Sequence, residues 1–185
     1  MTNMISQATL IIVFIVATTS LTSPSHCSRI RMVHSENESL IESTCKQTPN
    51  YDLCVQSLKS DPSSSEADVA GLGLIMVKVI TAKAKATKNK INNLLQGKDL
   101  DRKQKGALKS CREMYEMVLE TDVPEATEAL REGNPKFAED GVKDIGNEAT
   151  YCEGEFNGTK SLLKPENEAV RELAWVAVAI VRQLL

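Results

Sequence analysis

Beyond residue 66, apolar residues recur at intervals of three and four along most of the chain. Val69, Leu72, Met76, Ile80, Ala84, Ile91, Leu94 and Leu95 keep the period of one helix face, not the alternation of a strand. Gly97 stands where a helix commonly stops. Roughly 30 residues at 1.5 Å each would make a rod of about 45 Å. Gly71 and Gly73 weaken its first turns and point to a closely packed neighbour. A second helix is expected from Asp101, with Leu108, Cys111, Tyr115, Val118 and Leu119 on its stripe. Pro124 should kink or restart it, with Asp122 available as a new cap, before it continues through Ala126 and Leu130 to Gly133. A third runs from about Lys136 through Ile145 and Ala149 to Phe156. The fourth opens near Pro165 and is expected to bury Ala169, Leu173, Val176, Ala177, Ile180 and Leu184. Short links between helices of this length make neighbours antiparallel. The fold class that follows is all-α, an up-down four-helix bundle.

Ahead of the bundle, Ser35 and Glu38 have the form of a capping box, which starts a short helix towards Cys45. Thr48 as cap and Pro49 at the first helical position would start another. These two make a helical hairpin over about residues 36–60, attached to a bundle over about 65–185. The 61–65 stretch, DPSSS, reads as linker and cap.

Residues 1–27 read as a secretory signal outside the fold. Ala8 to Ala17 is an uncharged, mostly apolar run too short to span a bilayer. A polar, small-residue stretch follows, and cleavage is expected between Ala17 and Ser28. No Lys or Arg precedes the run, which leaves an uncleaved anchor as the alternative. The remaining residues, 28–185, suffice for one domain with a real core.

Cysteine use agrees with that route. Cys27 lies in the cleavage zone, and Cys45, Cys54, Cys111 and Cys152 are an even set suited to two disulfides. Three pairings are possible; Cys45–Cys54 with Cys111–Cys152 is preferred because the first closes a short local loop. A metal site is the rival reading, but there is no CxxC pair and no histidine after His34. Asn37 and Asn157 head glycosylation sequons.

The net charge of −3, with signs interspersed, argues against nucleic-acid binding. The lysines from Lys83 to Lys90 spread around a helix and read as a solvated face. Catalysis has little to draw on. Both histidines, His26 and His34, lie at the extreme N-terminus, and no nucleophile elbow, phosphate loop, dinucleotide fingerprint or zinc-protease motif occurs. The chain is expected to be no enzyme, with no cofactor. Trp175, Tyr51, Tyr115 and Tyr151 are expected to pack in or beside the core, Tyr151 near the disulfide at Cys152.

The segment GNPKFAEDG, from Gly133 to Gly141, is harder to explain. Gly133 can end one helix, Asn134 cap the next and Pro135 open it. Lys136 puts a cation at the positive end of a helix, against the macrodipole. Phe137 is either tucked under the turn or displayed from it.

TCKQTPNYDLCVQSL (Thr44 to Leu58), CREMYEMVLETDVPEATEAL (Cys111 to Leu130) and the terminal AVRELAWVAVAIVRQLL resemble the plant invertase inhibitor and pectin methylesterase inhibitor family. The resemblance covers about Ile41 to Leu185. It implies the bundle with its hairpin and the pairing of first with second and third with fourth cysteines. The Pro-Lys-Phe turn looks like the invertase inhibitor branch, in which it enters the target's active site. Pro135, Lys136 and Phe137 would then be the inhibitory residues. The clustering of Glu132, Glu139 and Asp140 beside them makes these carboxylates a candidate pH-sensitive flank. The implied partner is an acid invertase in the cell wall or vacuole, met by a monomeric inhibitor with no membrane association once the signal is removed. A pectin methylesterase inhibitor and a non-inhibitory secreted bundle are the alternatives.

Overall fold

The computed structural model describes residues 40–185, and every regular element among them is helical. The signal segment with Cys27, the Ser35–Glu38 capping box, both histidines and the Asn37 sequon lie outside the described residues.

α1 is helical over residues 40–45, and α2 (Tyr51–Lys59) runs back beside it. Cys45 and Cys54 join the two as a disulfide with Cα atoms 5.5 Å apart. The cap of α2 is Asn50, whose side chain accepts from Leu53 N–H, and not Thr48. Thr48 instead donates its hydroxyl to the Cys45 carbonyl at 2.7 Å, closing the turn that precedes it. Asp61 then caps a short 3₁₀ turn, Pro62–Ser65.

α3 (Val69–Gln96) begins at the cap Asp68, which accepts from Gly71 N–H, and extends for 28 residues. Leu72, Met76, Ile80, Ala84 and Ile91 on its stripe are fully buried. Each large side chain of that set contributes about 1.5–3 kcal/mol of burial. Gly73 admits the neighbour its sequence position implied, since a Cβ there would lie 3.4 Å from the Leu130 methyls. α4 (Arg102–Met117) starts in a complete capping box between Asp101 and Gln104.

Pro124 does not restart the helix, which runs on through it. A π-helical turn, Val118–Asp122, leads directly into α5 (Val123–Arg131), and Val123 N–H reaches back to Val118 O. The wider turn accommodates a proline that would otherwise crowd the preceding carbonyls. Asp122 is therefore no cap. It has helical dihedrals and lies in the core at 6% exposure.

α6 (Pro135–Glu155) and α7 (Lys164–Val181) complete the bundle, and a 3₁₀ turn, Arg182–Leu184, ends it. Cys111 and Cys152 join α4 to α6 with Cα atoms 4.7 Å apart. Gly141 lets α6 approach α5 closely, because a Cβ there would stand 3.2 Å from the Ala126 amide nitrogen. On α7 the buried stripe includes Val170, Ala174 and Val181, whereas Ala169 and Leu184 are half-buried at its edge.

α7 runs antiparallel to both α3 and α6. Lys90 near the end of α3 pairs with Glu166 at the start of α7, and Arg182 after α7 pairs with Glu139 at the start of α6. The hairpin packs on α3 and α7, where Gln183 donates to the Thr44 carbonyl at 3.1 Å. Lys88 and Lys90 of the basic run are tied to Glu116 and Glu166, while Lys83 and Lys85 are exposed. No described helix is long and apolar enough to cross a membrane.

Candidate functional site

At one end of the bundle, α5 gives way to α6 in a tight connection. Gly133 takes φ +70°, and its N–H donates to Leu130 O at 3.3 Å while Asn134 N–H donates to Ala129 O at 2.8 Å. These two bonds are a Schellman motif, and the left-handed residue suits only glycine well. Asn134 caps α6 through its carbonyl, which accepts from Ala138 N–H at 3.1 Å, and makes no side-chain cap bond. Pro135 is the first residue of α6, where its missing N–H costs nothing.

Phe137 follows in the first turn of α6 and is 68% exposed. It is displayed rather than tucked under the turn. An aromatic ring left in water on a rigid helix has no core function, and such side chains are the usual anchors of protein interfaces. Tyr151 is also exposed, at 58%, and so is Tyr51; neither packs in the core as its position in the sequence suggested. Trp175 is a partly covered surface residue whose ring lies over Gly146.

Lys136 is exposed, and its ammonium donates to Glu139 Oε2 and Asp140 Oδ1, both at 3.3 Å. Those bonds, to Asp140 first and Glu139 second, raise its pKa. They also answer the objection from the helix macrodipole, since two carboxylates offset the one cation. Glu139 points inward, and Lys143, Arg182 and Lys136 all approach it. Hydrogen bonds from Lys143 and then Arg182 hold its carboxyl at about 2. In the free protein Glu139 is therefore ionised between pH 4 and 7. Glu132 and Asp140 remain as exposed carboxylates beside the turn.

The bundle also holds two buried polar features away from the turn. Tyr115, buried, donates to Asn167 Oδ1 at 2.9 Å, and Asn167 Nδ2 donates to Glu153 Oε2 at 2.9 Å. Asp122 Oδ2 has no hydrogen-bond partner among the described residues. Burial, then Asp144, Glu148 and Glu125, push its carboxyl up to about 7. An open groove of about 770 Å³ lies between α3, α5 and the Pro62–Ser65 turn, and its charged lining includes Asp61, Lys78, Lys85 and Arg131. Lys78 and Asp61 pair across it at 2.8 Å.

The family model described as plant invertase/pectin methylesterase inhibitor matches residues 39–180. The chain belongs to this family. Among curated proteins of the family, the chain is 48% identical over 124 residues to "Cell wall / vacuolar inhibitor of fructosidase 1" of Arabidopsis thaliana, covering 67% of the chain and 59% of the relative. It is 41% identical over 87 residues to "Cell wall / vacuolar inhibitor of fructosidase 2" of the same plant, covering 47% of the chain and 48% of the relative. The chain thus spans roughly half to three fifths of the length of these two relatives. A crystal structure of a mutant form of a pectin methylesterase inhibitor from Arabidopsis superimposes with a TM-score of 0.69 at 22% identity, over 78% of the chain and 97% of that structure. That likeness shows that the fold is the family's all-helical one. The cysteine pairs Cys45–Cys54 and Cys111–Cys152 are those that the family resemblance implied.

Proposed function

We propose that this family member is a secreted protein inhibitor of plant acid invertase, a β-fructofuranosidase, and that Pro135, Lys136 and Phe137 enter the target's substrate pocket. The observation that carries the reading is Phe137, an aromatic ring 68% exposed on the first turn of a helix closed by a Schellman turn. The two relatives named as inhibitors of fructosidase support invertase as the target. Phe137 and Pro135 would cover apolar surface, and Lys136 would pair with carboxylates of the kind glycoside hydrolases use as nucleophile and acid. Sucrose is then excluded sterically. No covalent chemistry on the inhibitor is needed. A turn already ordered in the free protein loses little conformational freedom on docking.

Their names also support a cell-wall or vacuolar location. Asn157 of the remaining sequon is exposed just after α6, about 30 Å along that helix from the turn. A glycan there would leave the turn free.

The test is a parallel titration of the oxidised protein against an acid invertase and a pectin methylesterase. Invertase inhibition is expected, and Phe137→Ala should weaken it at least about thirtyfold, since an aromatic anchor is worth about 2 kcal/mol or more. Inhibition of the esterase alone would move the protein to the other target of its family. Full invertase inhibition by Phe137→Ala would remove the turn from the mechanism.

A further inference from the structure

One carboxylate near the start of α6 is held by three cations. Glu139 is buried; its Oε1 accepts from Lys143 Nζ at 2.6 Å and from Arg182 Nε at 2.7 Å, and its Oε2 from Lys136 Nζ at 3.3 Å. The three donors come from different places. Lys136 belongs to the exposed turn, Lys143 to the next turn of α6, and Arg182 to the end of the antiparallel α7. Charge-assisted hydrogen bonds are roughly twice as strong as neutral ones, and a buried charge with several partners resists displacement. Glu139 and Phe137 are two residues apart, about 200° around the helix at 100° per residue. The side that anchors inward is thus opposite the side that displays the ring.

We propose that Glu139 is a positioning residue for the inhibitory turn. It ties the start of α6, just past its first turn, to the end of α7, so Phe137 is carried outward in one orientation. It also lets Lys136 leave for a target without stranding a buried charge. When Lys136 swings to a carboxylate of the partner, Glu139 keeps Lys143 and Arg182, and Asp140 keeps Lys143 at 3.7 Å. Without the Glu139 charge, three cations would crowd one helix end and repel, and the turn would lose its fixed pose. The inference rests on the reading that Pro135, Lys136 and Phe137 meet the invertase.

The test measures inhibition of an acid invertase by Glu139→Gln, Glu139→Asp, Arg182→Met, the Glu139→Gln/Arg182→Met pair and Phe137→Ala. Each is assayed at a temperature where circular dichroism shows it folded. Glu139→Gln should raise the inhibition constant about tenfold, the scale set by losing one or two pre-ordered side chains. Glu139→Asp, which keeps the charge, should recover part of that loss. Arg182→Met should weaken inhibition, and adding Glu139→Gln to it should cost little more, because both break one link. Arg182 has a side chain 56% exposed, so its variant carries the test if Glu139→Gln does not fold. Glu139→Gln that lowers the melting temperature but inhibits within twofold of wild type overturns the inference, and so do fully additive losses. Unchanged inhibition by Phe137→Ala overturns the underlying reading and the inference together. Loss in Phe137→Ala beside full strength in both Glu139→Gln and Arg182→Met overturns only the positioning.

Discussion

Replacing Asp122 by Asn should make the protein's stability less dependent on pH between about 4 and 7. Asp122 lies at 6% exposure on the π-helical turn before α5, with Oδ2 unpartnered. Burial is the first cause of its raised pKa, and Asp144 and Glu148 on α6 and Glu125 on α5 add to it. The folded carboxyl titrates at about 7, against 3.8 in an unfolded chain. Between those values the folded state holds a proton that the unfolded state has released, so wild-type stability falls as pH rises. About three pH units at about 1.4 kcal/mol each give about 4 kcal/mol, lost in full above pH 7. Water entry and relaxation around the ionised group should reduce the observed loss to about 2 kcal/mol. For a domain of roughly 150 residues that is about 4–8 °C in melting temperature. Asparagine keeps the shape and removes the titration. The quantity to follow is the difference in melting temperature between variant and wild type, by circular dichroism, from pH 4 to pH 8. It should move by about 4–8 °C in the variant's favour across that range, whatever its value at pH 4. A constant difference, or one moving in favour of wild type, would refute the assignment of a buried protonated Asp122. On this reasoning an acidic compartment is where Asp122 costs the fold least, as suits a protein proposed to work in the cell wall or vacuole.

Two further outcomes test the packing. Tyr115→Phe removes the hydroxyl that satisfies buried Asn167 and should destabilise the protein by about 1–3 kcal/mol in urea unfolding, with no change in inhibition by the folded protein. Replacing Cys111 and Cys152 together by Ser opens a loop with a sequence separation of 41 and should cost about 2–5 kcal/mol by the same measurement.

Part of this is legible in the residue pattern. Asp122 lies at helical spacing between Val118 and Ala126 on the buried stripe, a place where a carboxylate predicts a perturbed group. Reading Pro124 as a break turned Asp122 into a cap, because a π turn has no distinct sequence signature. Thr48 was displaced for a similar reason. Asn50 is one residue before the helix that forms, and Thr48 closes the turn behind it.

By itself, the sequence determined the helices, their order and the connection at Gly133 to Pro135. Period, capping residues, glycine and proline act within a few residues of chain, so that information is local. The disulfide pairing had a short-loop preference and a family resemblance behind it. Tertiary structure alone decided which charges and polar groups meet. Arg182 reaches Glu139 across 43 residues, and Tyr115 reaches Asn167 across 52. It also decided that Phe137 faces water while Ala138 and Glu139 turn inward. A helical period fixes the angle between neighbouring side chains but not which angle faces the core; only packing α6 against α5 and α7 sets that.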